Sequence, residues 1–481
     1  MSTRRLSGRP PSHLHSEGAP LDSAFDMVVI GGGPGGYIAA IRAAQLGMKV
    51  AVVEKEEIGG VCLNWGCIPS KALLRNAEVV TIFEDAAKWG IKADNVRADM
   101  SVAIDRSRKV VDRMVKGVKF LFKKHKIETI YGTARLTGHH EVTVDSNGQK
   151  LTAKSVIVAT GARPRDLPFL KPDGKQVLTS RDALALKETP KSVAIIGGGA
   201  IGLEFAYFWR AYGAEVTVVE MLPHLAPLED EEVSVGIERS LAKQGIGVKA
   251  GFTVEAAERK NGKMRLTLGP AAEGGTLNCE KVLLGIGVRP NSEDLGLETL
   301  GVATTKGFIN VDGRMATNVP GVYAIGDVTG KVLLAHVASA QGVVAAEAIA
   351  GRQPKALVYE DMPRATYCQP QIASIGLTEK QAKERGHQVK VGKFPFLANG
   401  KAVALDSTEG FVKIVADGKT GEVLGAHLLG HDVTEMLAEL SMTKMLEGTA
   451  LEIGRTVHAH PTMSEALMEA GLGVFGESLN V

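Results

Sequence analysis

Apolar runs, glycine-rich turns and helix-like stretches follow one another in the N-terminal part of the chain. Phe25–Ile30 is an apolar run of the kind that forms a buried strand, and residues 31–36, five of them glycine, come next. A helix-like stretch covers residues 37–46, and a second apolar run, Lys49–Val53, ends at Glu54. This order predicts a strand, a tight turn, a helix and a second strand.

The same pattern recurs in the middle of the chain. The apolar run Val193–Ile196 precedes a second glycine-rich turn, a helix-like stretch reaches Tyr212, and the run Glu215–Val219 ends at Glu220. Five positions correspond at one constant offset: Gly31, Gly33, Gly36, Gly47 and Glu54 correspond to Gly197, Gly199, Gly202, Gly213 and Glu220. Such a match indicates an internal repeat rather than two unrelated turns.

Each repeat has the features of a dinucleotide-binding loop. Its first glycine permits a tight turn, its second lets the backbone approach a pyrophosphate, and its third allows the helix to pack closely on the strand. The free N–H groups at the start of the helix attract phosphates. Glu54 and Glu220 stand where a carboxylate accepts hydrogen bonds from ribose hydroxyls. Because Glu220 would repel a 2′-phosphate and no arginine follows closely, the second loop is predicted to bind NAD(H) rather than NADP(H).

The two ends of the chain differ from these repeats. Alternating residues in Phe411–Val415 and Val423–Leu429 predict strands, and a helix is expected from roughly Val433 to Leu446. Residues 1–24 combine early arginines and serines with prolines and have no apolar core. They predict a disordered extension of bacterial type, with a transit peptide for the mitochondrial matrix as the alternative.

Composition narrows the possible partners. A length of 481 residues suggests about three domains. The formal net charge is +2 and no long basic block occurs, which argues against nucleic acid as a partner. No apolar run is long enough for a membrane span. Four cysteines in so long a chain indicate a reducing compartment, and the cytoplasm is the expected location.

Two of these cysteines, Cys62 and Cys67, lie just downstream of the first glycine-rich turn. A zinc site would need a second Cys or His pair at ligand spacing, and no metal site is predicted. The spacing alone leaves two interpretations open, namely buried apolar thiols or a redox pair. Pro69 suits the first turn of a helix predicted over Ser70–Asn76, and the dipole of that helix would lower the pKa of Cys67.

His460 and Glu465 form a second candidate pair near the C-terminus. Thiol–disulfide interchange needs a proton acceptor, because the attacking species is a thiolate. The imidazole of His460 titrates near neutrality, and the carboxylate of Glu465 could orient its ring. A structural histidine before Pro461 is the alternative interpretation.

Four separated motifs together resemble the flavin-dependent pyridine-nucleotide disulfide oxidoreductases. They are the first glycine loop, the cysteine segment 62–71, the segment 317–327 and the C-terminal segment 458–465. The resemblance covers residues 25–481, and it is closest to the members that oxidise dihydrolipoamide. It implies FAD on the first loop, with Glu54 on its ribose and Asp327 on its ribityl chain. The segment Ala159–Gly161 is similar to the family's crossover between its flavin and nicotinamide domains.

The resemblance also implies roles for the candidate site residues. Cys67 would face the flavin, Cys62 would face the substrate, and Lys71 and Glu204 would pair beside the flavin ring. His460, with Glu465, would be the base and would act across a homodimer interface, and His458 would only support it. Further cofactor contacts are expected at Gly132, Thr160, Gly161, Leu333, Ala335, His336, Val254 and Gly287.

The implied fold is α/β, with two Rossmann-like dinucleotide-binding domains of glutathione-reductase type and a C-terminal α+β dimerisation domain. The expected boundaries are 25–160 for the FAD domain, 161–288 for the NAD domain, 289–357 for the return to the FAD domain and 358–481 for dimerisation. The implied reaction oxidises protein-bound dihydrolipoamide and reduces NAD⁺, with the lipoyl domain of an acyltransferase or glycine-cleavage carrier as partner. A glutathione- or mercuric-reductase-like enzyme and a mainly structural docking subunit are the alternatives.

Overall fold

A computed structural model describes residues 24–146, 148–270 and 274–481. All but the last residue of the predicted extension 1–24 therefore lies outside the described residues. The strands are β1 Phe25–Ile30, β2 Val50–Glu54, β3 Glu128–Tyr131, β4 Ala134–Gly138, β5 Glu141–Val144, β6 Gln149–Val158, β7 Ala162–Pro164, β8 Val177–Leu178, β9 Ser192–Ile196, β10 Glu215–Glu220, β11 Gly247–Ala250, β12 Thr253–Lys260, β13 Lys263–Gly269, β14 Thr276–Cys279, β15 Lys281–Leu284, β16 Val288–Pro290, β17 Thr304–Thr305, β18 Phe308–Ile309, β19 Val322–Ala324, β20 Arg364–Thr366, β21 Gln371–Gly376, β22 Val389–Pro395, β23 Phe411–Asp417 and β24 Val423–Gly430.

The α-helices are α1 Pro34–Gln45, α2 Gly60–Trp65, α3 Cys67–Glu84, α4 Met100–Lys124, α5 Ser180–Ala183, α6 Ala200–Ala211, α7 Glu231–Lys243, α8 Ala335–Ile349, α9 Glu379–Glu384, α10 Gly400–Ala404, α11 Leu437–Met445, α12 Ala450–Arg455 and α13 Glu465–Gly473. Short 3₁₀ helices cover Ala86–Trp89, Gly326–Thr329, Tyr359–Asp361, Phe396–Ala398 and Val433–Met436.

The first sheet contains strands from two separate parts of the chain, residues 25–158 and residues 322–324. Strands β3, β2, β1 and β6 are neighbours in that order and parallel, and β19 joins β6 in parallel as well. Strands β5 and β4 extend the sheet antiparallel from β6. The buried residues of β1 and β2 are apolar on both faces, except for Glu54 at the end of β2. Helices α1, α4 and α8 cover one face of these strands, and β4, β5 and residues 295–328 cover the other.

The second sheet repeats this architecture. Its order is β11, β10, β9, β15 and β8, and every pairing is parallel. Strands β12, β13 and β14 form a separate antiparallel sheet beside it. Helix α6 is buried along most of its length, and its aromatic residues enter a core shared with α3.

The C-terminal part contains an antiparallel sheet in the order β20, β21, β24, β23 and β22. Helices α11, α12 and α13 contribute apolar residues to the core on this sheet. The α/β fold with two dinucleotide-binding units and a C-terminal α+β unit is therefore confirmed. The boundaries between the domains stay a prediction.

The bounds of several elements differ from the prediction, and helix α1, for example, begins at Pro34 rather than at residue 37. Helix α3 begins at Cys67 rather than at Ser70, and Pro69 is its third residue. The stretch expected as one helix from Val433 begins as a 3₁₀ turn and becomes the α-helix α11 only at Leu437.

Candidate active site

The two glycine loops have the same geometry. Gly31 and Gly197 adopt left-handed φ angles of 106° and 111°, and a Cβ on either would lie 2.4 Å from a carbonyl oxygen, of Ala159 or of Gly285. The third glycines are equally constrained, because a Cβ on Gly36 would lie 1.9 Å from the oxygen of Gly31. Gly202 repeats that contact at 2.0 Å from Gly197.

The middle glycines have open space around them. A Cβ on Gly33 would have only the Cα of Gly60 nearby, at 3.9 Å, and a Cβ on Gly199 would have no atom within 4 Å. Each residue precedes the first turn of a helix, α1 or α6, where backbone N–H groups lack partners within the helix. These two positions therefore leave room for a phosphate group against a helix N-terminus.

A buried carboxylate closes each loop. Glu54 Oε2 accepts a hydrogen bond of 2.7 Å from the N–H of Gly32, and its Oε1 accepts one of 2.8 Å from Glu56. Glu220 accepts bonds of the same lengths from Gly198 and Leu222. The backbone of each loop thus fixes its carboxylate in place, and the remaining lone pairs can accept bonds from ribose hydroxyls.

The turn after each carboxylate also repeats. Gly60 and Ala226 lie at the same offset as the other matched positions, and both are left-handed, with φ of 56° and 48°. In the first unit the N–H of Gly59 donates to the oxygen of Gly32, and in the second the N–H of Ala226 donates to the oxygen of Gly198, each at 2.8 Å. The two units differ after the turn, because only the first continues into α2 and the cysteine pair.

Cys62 and Cys67 are both free thiols, half-buried, on two consecutive helices. Cys67 is the first residue of α3, and only Gly66 separates it from α2. A hydrogen bond with Cys62 lowers the pKa of Cys67 to about 7; burial opposes this effect and the ammonium of Lys71 assists it. The same hydrogen bond, with burial, raises the pKa of Cys62 far above its ordinary value. The two thiols are therefore chemically unequal, and Cys67 is the one that ionises near neutrality.

Lys71 and Glu204 form an ion pair next to this thiol. The Nζ of Lys71 lies 2.8 and 2.9 Å from the two carboxylate oxygens of Glu204, whose side chain is only 9% exposed. Burial alone would lower the pKa of Lys71, but the carboxylate of Glu204 raises it overall. The backbone N–H of Tyr367 donates to the same carboxylate at 3.1 Å, and the Tyr367 ring lies 4.6 Å from the Lys71 ammonium.

The residues predicted to hold FAD lie around the first sheet. Burial raises the pKa of Asp327 to about 6, and no described residue donates a hydrogen bond to its carboxyl. Gly132 donates its N–H to the Glu54 carbonyl at 2.9 Å, Thr160 adjoins Gly31, and the carbonyl of Gly161 accepts the N–H of Asn291 at 2.9 Å. Leu333 is exposed just before α8, Ala335 is the first residue of α8, and His336 Nε2 lies 2.9 Å from the Pro363 oxygen.

These residues fit FAD. The open space at Gly33 accepts a pyrophosphate, and Glu54 provides a carboxylate for a ribose. The half-buried carboxyl of Asp327 accepts no hydrogen bond from the described residues, and a ribityl hydroxyl would supply one. For the second loop, Val254 lies half-buried in β12, and Gly287 has a left-handed φ of 91° with no atom within 4 Å of an added Cβ.

His460 and Glu465 are brought together as expected. His460 Nδ1 lies 2.8 Å from Glu465 Oε1, and the N–H of Thr462 donates to Oε2 at 2.8 Å. Burial of the Glu465 carboxyl opposes these bonds, which nevertheless lower its pKa. The His460 side chain is 77% exposed and, within one chain, makes no hydrogen bond to Cys62 among the described residues. His458 is instead buried and lies 2.9 Å from Glu439.

Several residues near the site carry no signal in the sequence. Asn291 ties the crossover in place, because its side chain donates to the Thr160 carbonyl at 2.9 Å and its carbonyl accepts from the Thr160 hydroxyl at 2.6 Å. Arg108 donates to the Asn64 carbonyl, between the two cysteines, at 2.7 Å. The guanidinium of Arg181 lies 3.9 Å from the ring of Trp65 in the same segment. These contacts join distant parts of the chain, and local sequence patterns therefore do not predict them.

Metal ligands and membrane spans are two further kinds of site that a chain of this length can contain. In the ranges 24–146, 148–270 and 274–481, no group of three or more His, Cys, Asp or Glu side chains is placed to hold a metal ion. None of the helices in these ranges combines the length and the apolar character that crossing a membrane requires.

Comparison with known proteins assigns nearly the whole chain to one family. Residues 25–342 match the model of the pyridine nucleotide-disulphide oxidoreductases, and residues 362–471 match the model of that family's dimerisation domain. A dihydrolipoyl dehydrogenase of Chlorobaculum tepidum is 48% identical over 454 residues, which are 94% of this chain and 97% of the relative. One of Mycobacterium leprae is 49% identical over 95% of this chain and 99% of the relative.

Solved structures with this fold include enzymes of related type. The crystal structure of LpdA from Mycobacterium tuberculosis has a TM-score of 0.86 at 27% identity and covers 92% of this chain and 98% of its own. The HOCl-induced flavoprotein disulfide reductase RclA from Escherichia coli has a TM-score of 0.83 at 27% identity, covering 93% of this chain and 99% of its own.

Proposed function

Because this chain belongs to the pyridine nucleotide-disulphide oxidoreductase family, we propose that it oxidises dihydrolipoyl groups to lipoyl disulfides and reduces NAD⁺ to NADH. The enzyme is a flavoprotein oxidoreductase that uses FAD and NAD. The dihydrolipoyl dehydrogenases that are 44–49% identical over nearly its full length support this substrate over glutathione or a mercuric ion.

The observation that carries the proposal is the inequality of the two thiols. Cys67 starts α3 and has a pKa of about 7, whereas the pKa of Cys62 is strongly raised. In the reduced pair Cys67 therefore holds the negative charge and Cys62 holds the proton. We assign Cys67 to the flavin side and Cys62 to the substrate side.

The reaction would proceed by two disulfide exchanges. A thiolate of the dihydrolipoyl group attacks Cys62 in the Cys62–Cys67 disulfide, and Cys67 leaves as a thiolate. The second dihydrolipoyl sulfur then displaces Cys62, which closes the lipoyl disulfide and leaves the reduced pair. The first loop, with Glu54 and Asp327, would hold FAD, and this group would supply the two-electron transfer that connects the reduced pair to NAD⁺.

Proton handling falls to the histidine pair. His460 accepts the proton of the dihydrolipoyl thiol, and Glu465 holds its ring through Nδ1, which leaves Nε2 free to act. Because His460 is largely exposed in a single chain, we assign the base at each disulfide to His460 of the partner subunit. The dimerisation domain in residues 362–471 supports a homodimer.

The wider setting is also part of the proposal. A lipoyl domain of an acyltransferase or of a glycine-cleavage carrier is the proposed donor of the dihydrolipoyl group. The bacterial relatives and the free thiols favour the cytoplasm as the location.

Replacement of His460 tests the assignment. His460→Gln should lower turnover with dihydrolipoamide by about 10²- to 10⁴-fold, because interchange loses its proton acceptor. NADH oxidation by a dye that takes electrons at the flavin should persist, since that reaction bypasses the thiols. The exposed His139 provides the matched control, and His139→Gln should leave both rates unchanged. Equal loss of both rates in His460→Gln, or no loss of dihydrolipoamide turnover, would show that His460 is not the base.

A further inference from the structure

A buried lysine connects the C-terminal sheet to the second nucleotide-binding unit. Lys413, on β23, is 2% exposed, and its Nζ lies 2.9 Å from Asp230, 2.7 Å from Glu232 and 2.7 Å from Glu379. Burial of an ammonium is unfavourable unless paired charges compensate it, and three carboxylates do so here. Removal of the lysine would therefore leave the buried Asp230 without this cation, while Glu232 and Glu379 would keep their ion pairs with Lys393 and Lys383.

Asp230 carries this contact into helix α7. It is 3% exposed and caps the helix, because its Oδ1 accepts a hydrogen bond from the N–H of Glu232 at 3.2 Å as well as the one from Lys413. Its Oδ2 accepts the N–H of Glu379, the first residue of α9, at 3.2 Å. The start of α7 is thus bound both to β23 of the C-terminal sheet and to the N-terminus of α9.

Helix α7 also stabilises the turn that follows Glu220. The hydroxyl of Ser234 donates to the carbonyl of Ala226 at 3.2 Å, and Glu238 accepts the N–H of Leu225 at 2.8 Å. Ala226 is a non-glycine residue at φ 48°, a conformation that costs free energy unless its surroundings impose it. The two α7 side chains supply that constraint.

The turn contacts the nucleotide loop directly. The N–H of Ala226 donates to the carbonyl of Gly198 at 2.8 Å, and the N–H of Gly198 donates to Glu220 at 2.7 Å. The Leu225 side chain packs so closely on Gly198 that an added Cβ would lie 2.5 Å from its Cδ2. A continuous series of hydrogen bonds and one helix therefore joins Lys413 to the carboxylate that faces the ribose.

We propose that Lys413 is a positioning residue for the NAD⁺ site, which it reaches through Asp230, α7 and the turn at Leu225 and Ala226. This inference rests on the proposed use of NAD⁺ by the second loop. In the first unit the equivalent turn is followed by α2 instead of a helix fixed to the C-terminal sheet, so FAD binding should not depend on Lys413.

The test compares two lysines on paired strands. Lys393 lies directly opposite Lys413 on β22, is 42% exposed and also pairs with Glu232, but does not contact Asp230. In the FAD-loaded dimer, Lys413→Met should raise the dissociation constant of NADH and the KM for NAD⁺ by about 5-fold or more. The rate at which dihydrolipoamide reduces the enzyme should stay within about two-fold of wild type, and Lys393→Met should change neither quantity.

Hydrogen exchange provides a readout that does not depend on activity. Backbone amides of residues 222–229 should exchange faster in Lys413→Met than in Lys393→Met, while those of residues 56–61 should be unchanged. A folded Lys413→Met variant with wild-type NADH affinity and exchange would overturn the proposal. A wild-type enzyme that binds NADH without oxidising dihydrolipoamide would instead overturn the proposed function and leave this inference standing.

If Lys413→Met does not fold, substitutions of the α7 residues that lie between Lys413 and the nucleotide loop test the proposal instead. Glu238→Gln keeps the buried lysine cluster intact and weakens two contacts to the turn, the bond to the Leu225 N–H and the 3.6 Å contact with His224 Nδ1. We expect it to raise the dissociation constant of NADH by about two-fold or more without changing the dihydrolipoamide reaction. Unchanged NADH affinity in Glu238→Gln and in Ser234→Ala would exclude transmission through α7.

Discussion

Replacing Lys71 with methionine should make Cys67 less reactive toward alkylating reagents near neutral pH. The pKa of Cys67 is about 7, lowered by the hydrogen bond with Cys62 against the effect of burial, and lowered further by the Lys71 ammonium. Because Lys71 shares its charge with Glu204, we expect its loss to raise this pKa by about one pH unit. The thiolate fraction at pH 7 would then fall roughly five-fold, and the alkylation rate would fall with it.

The opposite substitution in the same ion pair should act in the opposite direction. The Glu204 carboxylate raises the pKa of Cys67, so Glu204→Gln should lower it and increase alkylation at about pH 6. A general loosening of the site would increase the reactivity of both variants. Opposite changes from the two partners of one ion pair therefore identify an electrostatic cause.

The assay alkylates the reduced protein with iodoacetamide between about pH 5 and about pH 9 and locates the label by fragment mass spectrometry. Fragmentation separates the two cysteines of the segment, and Cys62 should remain unlabelled where Cys67 reacts because its pKa is strongly raised. Lys88→Met, which removes a lysine from an exposed ion pair with Asp85, is the control and should match wild type. A midpoint for Lys71→Met at or below that of wild type would refute the reasoning.

Two further predictions concern the candidate FAD site and the second glycine loop. Without FAD at about pH 8, Asp327→Asn should raise the free energy of unfolding by up to about 3 kcal/mol, because a carboxyl with a pKa of about 6 in the folded chain is ionised there at a cost. This gain should disappear below about pH 4, where the carboxyl is protonated in the folded and the unfolded chain. Urea unfolding at about pH 8 and below about pH 4 measures the gain, and an equal gain at the two pH values would contradict the prediction. Gly199→Ala should raise the KM for NAD⁺ and leave the melting temperature nearly unchanged, because the added methyl enters open space. Gly202→Ala should raise the KM for NAD⁺ and also lower the melting temperature, since its Cβ would lie 2.0 Å from the Gly197 oxygen. Equal melting temperatures for the two variants would contradict this prediction.

The nucleotide loops were predictable because their constraints are local. A left-handed glycine, a close helix–strand contact and a carboxylate after the second strand occur at fixed spacings, so sequence alone located Gly31, Gly36 and Glu54 correctly in the fold. The start of α3 was less predictable. Pro69 is compatible with any position in the first turn, where N–H groups lack partners, and it therefore did not distinguish a start at Cys67 from one at Ser70.

The rest of the site depends on contacts between distant residues. The resemblance to a family placed Lys71 with Glu204, but the amide of Tyr367 that also binds this carboxylate comes from another domain. Lys413 is one of several lysines in the C-terminal region, and nothing in its neighbours marks it as buried against Asp230. Pairing of this kind is set by the packing of domains and leaves no periodic signal in the sequence.

The left-handed turn at Gly60 and Ala226 shows how two copies of one unit can acquire different tasks. Both copies have the same geometry at their glycines and at the acid that follows, and different elements follow the turn. After the turn, the first unit continues into a pair of thiols, and the second unit continues into a helix that is bound to a neighbouring domain. A duplicated unit can thus gain either a reactive pair or mechanical support through a few residues after its acid, while the geometry of its glycine loop stays the same.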